Sequence, residues 1–353
     1  MFKNTSVNTN KLNFQILPTK SNSNSLGNQK PIPVSSLPFN YLKGCQDWTG
    51  DALGQEQAPI NIIPANSKPS DDSMKMQLFL TDHTLNGLKV DDIGTTLMVN
   101  GSFSKLIATD VDGDTYEFEA IQFHFHAPSE HTINGKHYDL ELHIVHQMTP
   151  ESAKNAKTHR NLAVVGVFFD LNADKPHPLF EDLQLHDIGS DISLNMYELL
   201  GDDLVDRMTF HAYKGSLTTP PCTQNANFFI LEKALPINKE QLDHFHLRWA
   251  GNPEFAHGRG NNRPVQPLNG RTVKMSSNCC VMPRSEEALM KMTQKQTEET
   301  EEKVSHKELS KEDKEDLKGF IFEDPFSSLH SSKKTEEYLD ETNTNKTELT
   351  MKI

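Results

Sequence analysis

The sequence predicts a mainly β fold (α+β): one large, twisted, mostly antiparallel central sheet with short peripheral helices. Three observations predict it. Runs of alternating apolar and polar residues recur along the chain, rich in the β-branched and aromatic types that fit a pleated surface. Helical signals are confined to two short stretches. The patterned region lies between a polar leader, residues 1–38, and a change of composition near Met282. It is about 240 residues long, a length that a single β-rich domain fills.

In chain order, Gly94-Thr95-Thr96-Leu97-Met98-Val99 and Thr115-Tyr116-Glu117-Phe118-Glu119-Ala120-Ile121 read as strands. Gln122-Phe123-His124-Phe125-His126 carries the alternation on, and Tyr138-Asp139-Leu140-Glu141-Leu142-His143-Ile144-Val145 repeats it. Leu162-Ala163-Val164-Val165-Gly166-Val167-Phe168-Phe169 and Ala226-Asn227-Phe228-Phe229-Ile230-Leu231 complete the strand signals. Short helices are expected at 197–200 and 239–246, and there is no internal repeat.

Three imidazoles stand out within these strands. Side chains alternate faces along a strand, so His124 and His126 share one face and Phe125 takes the other. His143 lies on another alternating run. Three neutral nitrogen ligands without a thiolate suit zinc (Zn2+), with a fourth position left for water. Such imidazoles usually hand their second N–H to a carboxylate, amide or carbonyl. Gln122 and Glu141 each precede a histidine by two residues, hence on the same face, and are placed to do this. Among sixteen histidines a lone His-x-His pair is easily an accident; the third histidine and both supporters weigh against that.

The run from Phe123 through Ala127-Pro128-Ser129-Glu130-His131-Thr132, followed by Glu141-Leu142-His143-Ile144-Val145-His146, resembles the α-class carbonic anhydrases. The short turn at 127–132 is more similar to bacterial, plant and algal members than to the animal cytosolic ones. Three further blocks agree, in the family's order: Gln57-Ala58-Pro59-Ile60-Asn61-Ile62, Tyr213-Lys214-Gly215-Ser216-Leu217-Thr218-Thr219-Pro220-Pro221-Cys222, and Asn261-Asn262-Arg263-Pro264-Val265-Gln266-Pro267-Leu268. The resemblance spans 39–277, which is expected to be the catalytic domain.

The resemblance implies reversible hydration of carbon dioxide to bicarbonate and a proton by a zinc-bound hydroxide, with His124, His126 and His143 as ligands. It gives Thr218 and Glu130 the task of orienting that hydroxide, because a threonine both donates and accepts whereas an ionised glutamate only accepts. Tyr41 matches a tyrosine of the active-site water network. Asn261 and Arg263 match supports of the zinc strands and of the loop bearing Thr218. Val145, Val164 and Leu217 match an apolar substrate pocket, Thr219 a bicarbonate contact, and Phe228 stands where the family usually has tryptophan. Fast members carry a proton-ferrying histidine in an Asn-Gly-His run; here the run is Asn100-Gly101-Ser102, and serine does not titrate near pH 7. Proton export is then left to water, buffer or another group such as His137.

The net charge of −14 argues against nucleic acid as a partner. No apolar run approaches a membrane span. The leader has no apolar secretory core; it is rich in Asn and Ser, without acidic residues or arginine, and reads as disordered or as an organelle-targeting segment. Cytoplasmic location is the default, with organelle and secretion open. In many secreted relatives the cysteine after Pro-Pro is bridged to one near the domain's N-terminus. Cys222 takes the first place, while Cys45 precedes the usual second one. A Cys45–Cys222 disulfide, which implies an oxidising compartment, and two free buried thiols both stay open. Cys279 and Cys280 are expected to lie exposed just past the domain. The charged tail, 278–353, reads as disordered or partly helical. Its apolar island at Phe320-Ile321-Phe322 is either a protein-docking motif or without role. The rival to an active enzyme is a non-catalytic carbonic-anhydrase-like binding protein; such proteins typically lose a zinc histidine, and none is lost here.

Overall fold

The computed structural model describes residues 37, 39–70, 73–172, 174–201, 208–285, 287 and 290. The expectations for the leader and for the tail beyond 290 fall outside these residues. The described strands are β1 Asn61–Ile62, β2 Lys68–Pro69, β3 Met76–Leu80, β4 Leu85–Asp92, β5 Leu97–Asn100, β6 Ser104–Thr109, β7 Thr115–His126, β8 Thr132–Ile133, β9 Lys136–His137, β10 Leu140–Met148, β11 Leu162–Leu171, β12 Asp191–Leu194, β13 Phe210–Gly215, β14 Ala226–Leu231, β15 Leu235–Ile237, β16 Lys274–Ser276 and β17 Cys279–Pro283. Helices are α1 Pro150–Lys154, α2 Pro178–Asp182 and α3 Lys239–His246, with a π-helical turn at Tyr197–Gly201. None is long and apolar enough to cross a membrane.

Fourteen strands form one sheet, whose main path runs β12-β4-β5-β7-β10-β11-β14-β13-β16-β2. Most pairs are antiparallel; β11 with β14, β11 with β15, β2 with β16 and β3 with β17 are parallel. A small separate sheet orders β1-β8-β9.

Register places the site. On β7 and β10, His124 lies opposite His143, His126 opposite Glu141 and Gln122 opposite Val145. Opposed residues share a face, so these six side chains project together. Phe123, Phe125, Leu142 and Ile144 take the other face and are fully buried in the larger apolar core. Each is worth about 2 kcal/mol of burial, so a one-residue slip of either strand is strongly opposed. The site face continues through Val164, Gly166 and Phe168 of β11 to Phe228 and Ile230 of β14. Gly166 has a specific cause: a Cβ there would lie 2.6 Å from Ile230 Cδ1 and 3.1 Å from Glu141 Oε1. The missing side chain leaves room for the glutamate.

Helix α3 begins at Asn238, whose side chain accepts from Gln241 N, and buries Leu242 and Phe245 against the larger core. One strand lies past the expected domain. The sheet does not end at 277, because β17 pairs with β3. Cys279, expected at the surface, is 2% exposed within that strand; an edge pairing across two hundred residues rescues what reads locally as the start of a tail. Helices α1 and α2, too short for periodicity, each start with a proline after a side-chain cap, Thr149 and His177.

Candidate metal centre

The three histidine rings stand in mutual contact, with centroids 5.0 Å apart for His124 and His126, 5.4 Å for His124 and His143, and 4.9 Å for His126 and His143. One nitrogen of each lies within 4.8 Å of the others. The opposite nitrogens are already engaged. His124 Nδ1 meets Gln122 Oε1 at 2.8 Å, His126 Nδ1 meets the Asn261 carbonyl at 2.9 Å, and His143 Nε2 meets Glu141 Oε1 at 2.7 Å. Each partner is an acceptor, so each of those nitrogens carries the proton. This leaves unprotonated lone pairs on His124 Nε2, His126 Nε2 and His143 Nδ1.

Two buried atoms beside this convergence have no hydrogen-bond partner: His126 Nε2 and Glu130 Oε2. Orphaned polar atoms are costly, and a cation held by the three lone pairs accounts for the imidazole. Glu130 Oε2 is 3.4 Å from His126 Nε2 and 3.9 Å from His143 Nδ1, which adds negative charge close by. The donor set therefore fits a divalent metal that prefers nitrogen ligands.

Electrostatics follow from burial and partners. Burial, with His126 and His143 as neighbours, holds the His124 pKa well below the imidazole range. Burial also lowers His126. For His143 burial again pushes down, but the Glu141 carboxylate outweighs it and the net shift is up. Glu141 itself is pulled well below the carboxylate range: burial opposes, and His131 and His143 prevail. Its carboxylate is fully used. Oε1 also meets His131 Nδ1 at 2.7 Å, and Oε2 accepts from the amides of Glu130 and His131 at 2.8 and 2.9 Å.

The sequence-derived residues fall as follows. Gln122, Glu141, Glu130 and the three histidines come together. Asn261 is fully buried; its amide donates to the Thr95 and Phe125 carbonyls and accepts from Ala127 N, fixing the end of β7. Arg263 donates from its backbone to Glu130 Oε1 at 2.9 Å and from its side chain to Gln57 Oε1 and the Ala52 and Ala58 carbonyls. Gln57 in turn donates to the Cys222 carbonyl and accepts from Ser216, at either end of the loop bearing Thr218.

Val145, Val164 and Phe228 share one apolar cluster with Leu217 packed against it. Thr219 is half-buried, and its carbonyl accepts from Cys222 N. Thr218 is buried, but the hydrogen bond expected from it to Glu130 is not formed. Tyr41 is buried among Phe39, Trp48 and Phe255, and its hydroxyl has no partner. Cys45 and Cys222 are both free thiols, so the bridge is not made. His137, exposed on β9 of the small separate sheet, donates from Nδ1 to the Ser129 carbonyl.

The residues assigned no role from sequence are His131 and Arg160. His131 links Glu141 to the Tyr213 hydroxyl, 2.6 Å from Nε2; its place directly after Glu130 was the available signal. Arg160 has no local motif.

A family model described as eukaryotic-type carbonic anhydrase matches residues 43–277. The chain belongs to the eukaryotic-type carbonic anhydrase family. A carbonic anhydrase from Klebsiella pneumoniae is 34% identical over 255 residues, covering 70% of this chain and 88% of the relative. Alpha carbonic anhydrase 3 of Arabidopsis thaliana is 29% identical, covering 72% and 86%. Among solved structures, a halotolerant carbonic anhydrase from Dunaliella salina superposes with a TM-score of 0.53 at 28% identity, over 68% of this chain and 98% of that one. The Chlamydomonas reinhardtii carbonic anhydrase Cah3, solved in complex with acetazolamide, gives 0.50 at 26%, over 65% and 94%. As a carbonic anhydrase, the chain acts on carbon dioxide and bicarbonate.

Proposed function

We propose that the chain is an active, zinc-dependent carbonic anhydrase whose proton export relies on water and buffer. The observation that carries this reading is the convergence of three imidazole lone pairs whose other nitrogens are held by Gln122, Asn261 and Glu141. His124 Nε2, His126 Nε2 and His143 Nδ1 would hold the zinc. When bound, zinc acts as a Lewis acid that makes a nucleophile from water at neutral pH, and three neutral ligands preserve the charge this needs.

The remaining work falls to the chain's own residues. Glu130 Oε2, buried and unpartnered, is the acceptor we assign to the Thr218 hydroxyl. A hydroxyl committed as donor to a carboxylate has only its lone pairs left, so it must accept from the attacking oxygen and thereby aim it. Val145, Val164, Leu217 and Phe228 offer an apolar wall to an uncharged substrate and exclude water from it. Thr219 is the polar contact we assign to bicarbonate. Ser102, on the exposed bend after β5, donates to Glu119 at 3.3 Å and accepts from Arg284. Neither a serine nor an arginine changes its charge near pH 7, so this corner relays no proton.

Zinc content measured together with acetazolamide-sensitive hydration of carbon dioxide tests the reading. Stoichiometric zinc and inhibitable turnover are expected; protein without metal or turnover would refute it. Turnover at low buffer should rise with added imidazole and in the Ser102→His variant, and indifference to both would refute the proton-export part.

A further inference from the structure

The loop that carries Thr218 and Thr219 runs from Ser216 to Asn225 between β13 and β14. Its two ends, Gly215 and Ala226, are register partners. Arg160, 1% exposed, lies across that neck. Its Nη1 donates to the Gly215 carbonyl at 2.7 Å and to the Ala226 carbonyl at 3.1 Å, and its Nη2 pairs with Glu56. The neighbours of Arg160 reach the same loop: His159 Nε2 meets the Gln224 carbonyl at 3.1 Å, and Asn161 Oδ1 accepts from Asn225 Nδ2 at 2.9 Å. On the opposite side, Glu56 N donates to Gln224 Oε1 and Gln57 Nε2 to the Cys222 carbonyl. The Arg160–Glu56 pair joins these two holders.

We infer that Arg160 is a positioning residue for the reaction: it closes the neck of the 216–225 loop and so sets where the Thr218 hydroxyl stands. The inference rests on the functional reading above. Only a guanidinium meets the geometry, because one planar fork serves two carbonyls and a carboxylate at once. A lysine ammonium, a single point donor on a shorter stem, cannot serve both the two carbonyls bonded by Nη1 and the Glu56 carboxylate bonded by Nη2. No metal-site partner is touched: the outer bonds of His124, His126 and His143 go to Gln122, Asn261 and Glu141.

The test compares wild type with Arg160→Lys, and with Glu56→Ala as a milder lesion at a half-exposed residue. Zinc stoichiometry, kcat and KM for carbon dioxide, acetazolamide affinity, and amide exchange across 216–225 are measured on the full chain. Both variants are expected to keep one zinc per chain. Arg160→Lys should lose tenfold or more in kcat with KM little changed, weaken acetazolamide in step, and exchange the loop amides faster; Glu56→Ala should do the same more weakly. Wild-type kcat and loop exchange in Arg160→Lys would overturn the inference. So would loss of zinc with unchanged loop exchange, which would assign Arg160 to the ligand scaffold instead. Wild type that binds zinc but shows no turnover would refute the functional reading and, with it, the positioning role.

Discussion

Replacing Glu141 by glutamine changes one atom and reverses the hydrogen-bond polarity at the centre of the site. The carboxylate accepts four bonds: from the amides of Glu130 and His131 on Oε2, and from His131 Nδ1 and His143 Nε2 on Oε1. A glutamine can keep its oxygen toward the two amides, and then its NH2 faces the two imidazoles. His131 adapts at little cost, because its other partner, the Tyr213 hydroxyl, can donate or accept. His143 cannot adapt freely. Facing a donor, its Nε2 must give up the proton, the proton moves to Nδ1, and Nδ1 is the atom that would hold the metal. Loss of such an outer partner typically costs 10–100-fold in metal affinity, about 1.4–2.7 kcal/mol. The metal-free protein loses charge-assisted bonds besides, about 2–4 kcal/mol of stability. Competition against a chromophoric chelator at pH 7.5 reads the first quantity, and urea unfolding of metal-free protein reads the second. Zinc affinity within twofold of wild type in folded Glu141→Gln protein would refute the tautomer reasoning.

Gly260→Ala should destabilise the domain by about 3 kcal/mol or more, lowering Tm by roughly 6–12 °C in a scan: φ is +100°, and the added Cβ would sit 2.2 Å from the Ala127 carbonyl oxygen. His146, fully buried with Nε2 2.8 Å from Ser104 Oγ, is pushed down to about 4 by burial. The unfolded chain binds that proton near 6.5 and the folded one only near 4, so stability is full above pH 6.5 and falls as pH drops toward 4. Between pH 7 and 4.5 wild type should lose about 2–3 kcal/mol more than His146→Gln in urea unfolding; equal losses would contradict it. Burial, with Glu130 nearby, raises the Cys45 thiol to about 12; chiefly burial raises Cys222 to about 11 against the opposing Arg263, and Cys279 to about 12. At pH 8 the thiolate fraction is then about one in a thousand or less, and iodoacetamide should leave all three unmodified in native protein, as intact mass would show.

The candidate ligands were legible because strand periodicity is local. His124, His126 and Gln122 follow from alternation on β7, and His143 with Glu141 by the same rule on β10. The supports are of another kind. His126 is fixed by the carbonyl of Asn261, 135 residues away, and a main-chain acceptor has no residue signature; only the resemblance pointed to that position. Arg160 is invisible for a related reason, since it acts on two carbonyls and its sequence neighbours are ordinary. Strand β17 was not read from the sequence because it is short, pairs in parallel with a strand far earlier in the chain, and is followed directly by charged residues. Period-2 patterning shows that a strand exists but not which strand, near or far, it joins.

The three outer partners differ in kind: a side-chain amide, a main-chain carbonyl and a carboxylate. All are acceptors, and that shared property fixes which nitrogen is free on each ring. Two rings bonded through Nδ1 present Nε2, and one bonded through Nε2 presents Nδ1, so the choice is made by protein hydrogen bonds before any ion arrives. The difference in strength then has a consequence. Gln122 and the Asn261 carbonyl are neutral and leave His124 and His126 with depressed pKa values, ready to ligate at neutral pH. Glu141 is charged, raises His143, and makes that ring the one where proton and metal compete. Zinc affinity should therefore fall with decreasing pH first through His143, and a Glu141→Gln protein, which lacks that charge, should show a shallower pH dependence of zinc binding than wild type even though its affinity at pH 7.5 is lower.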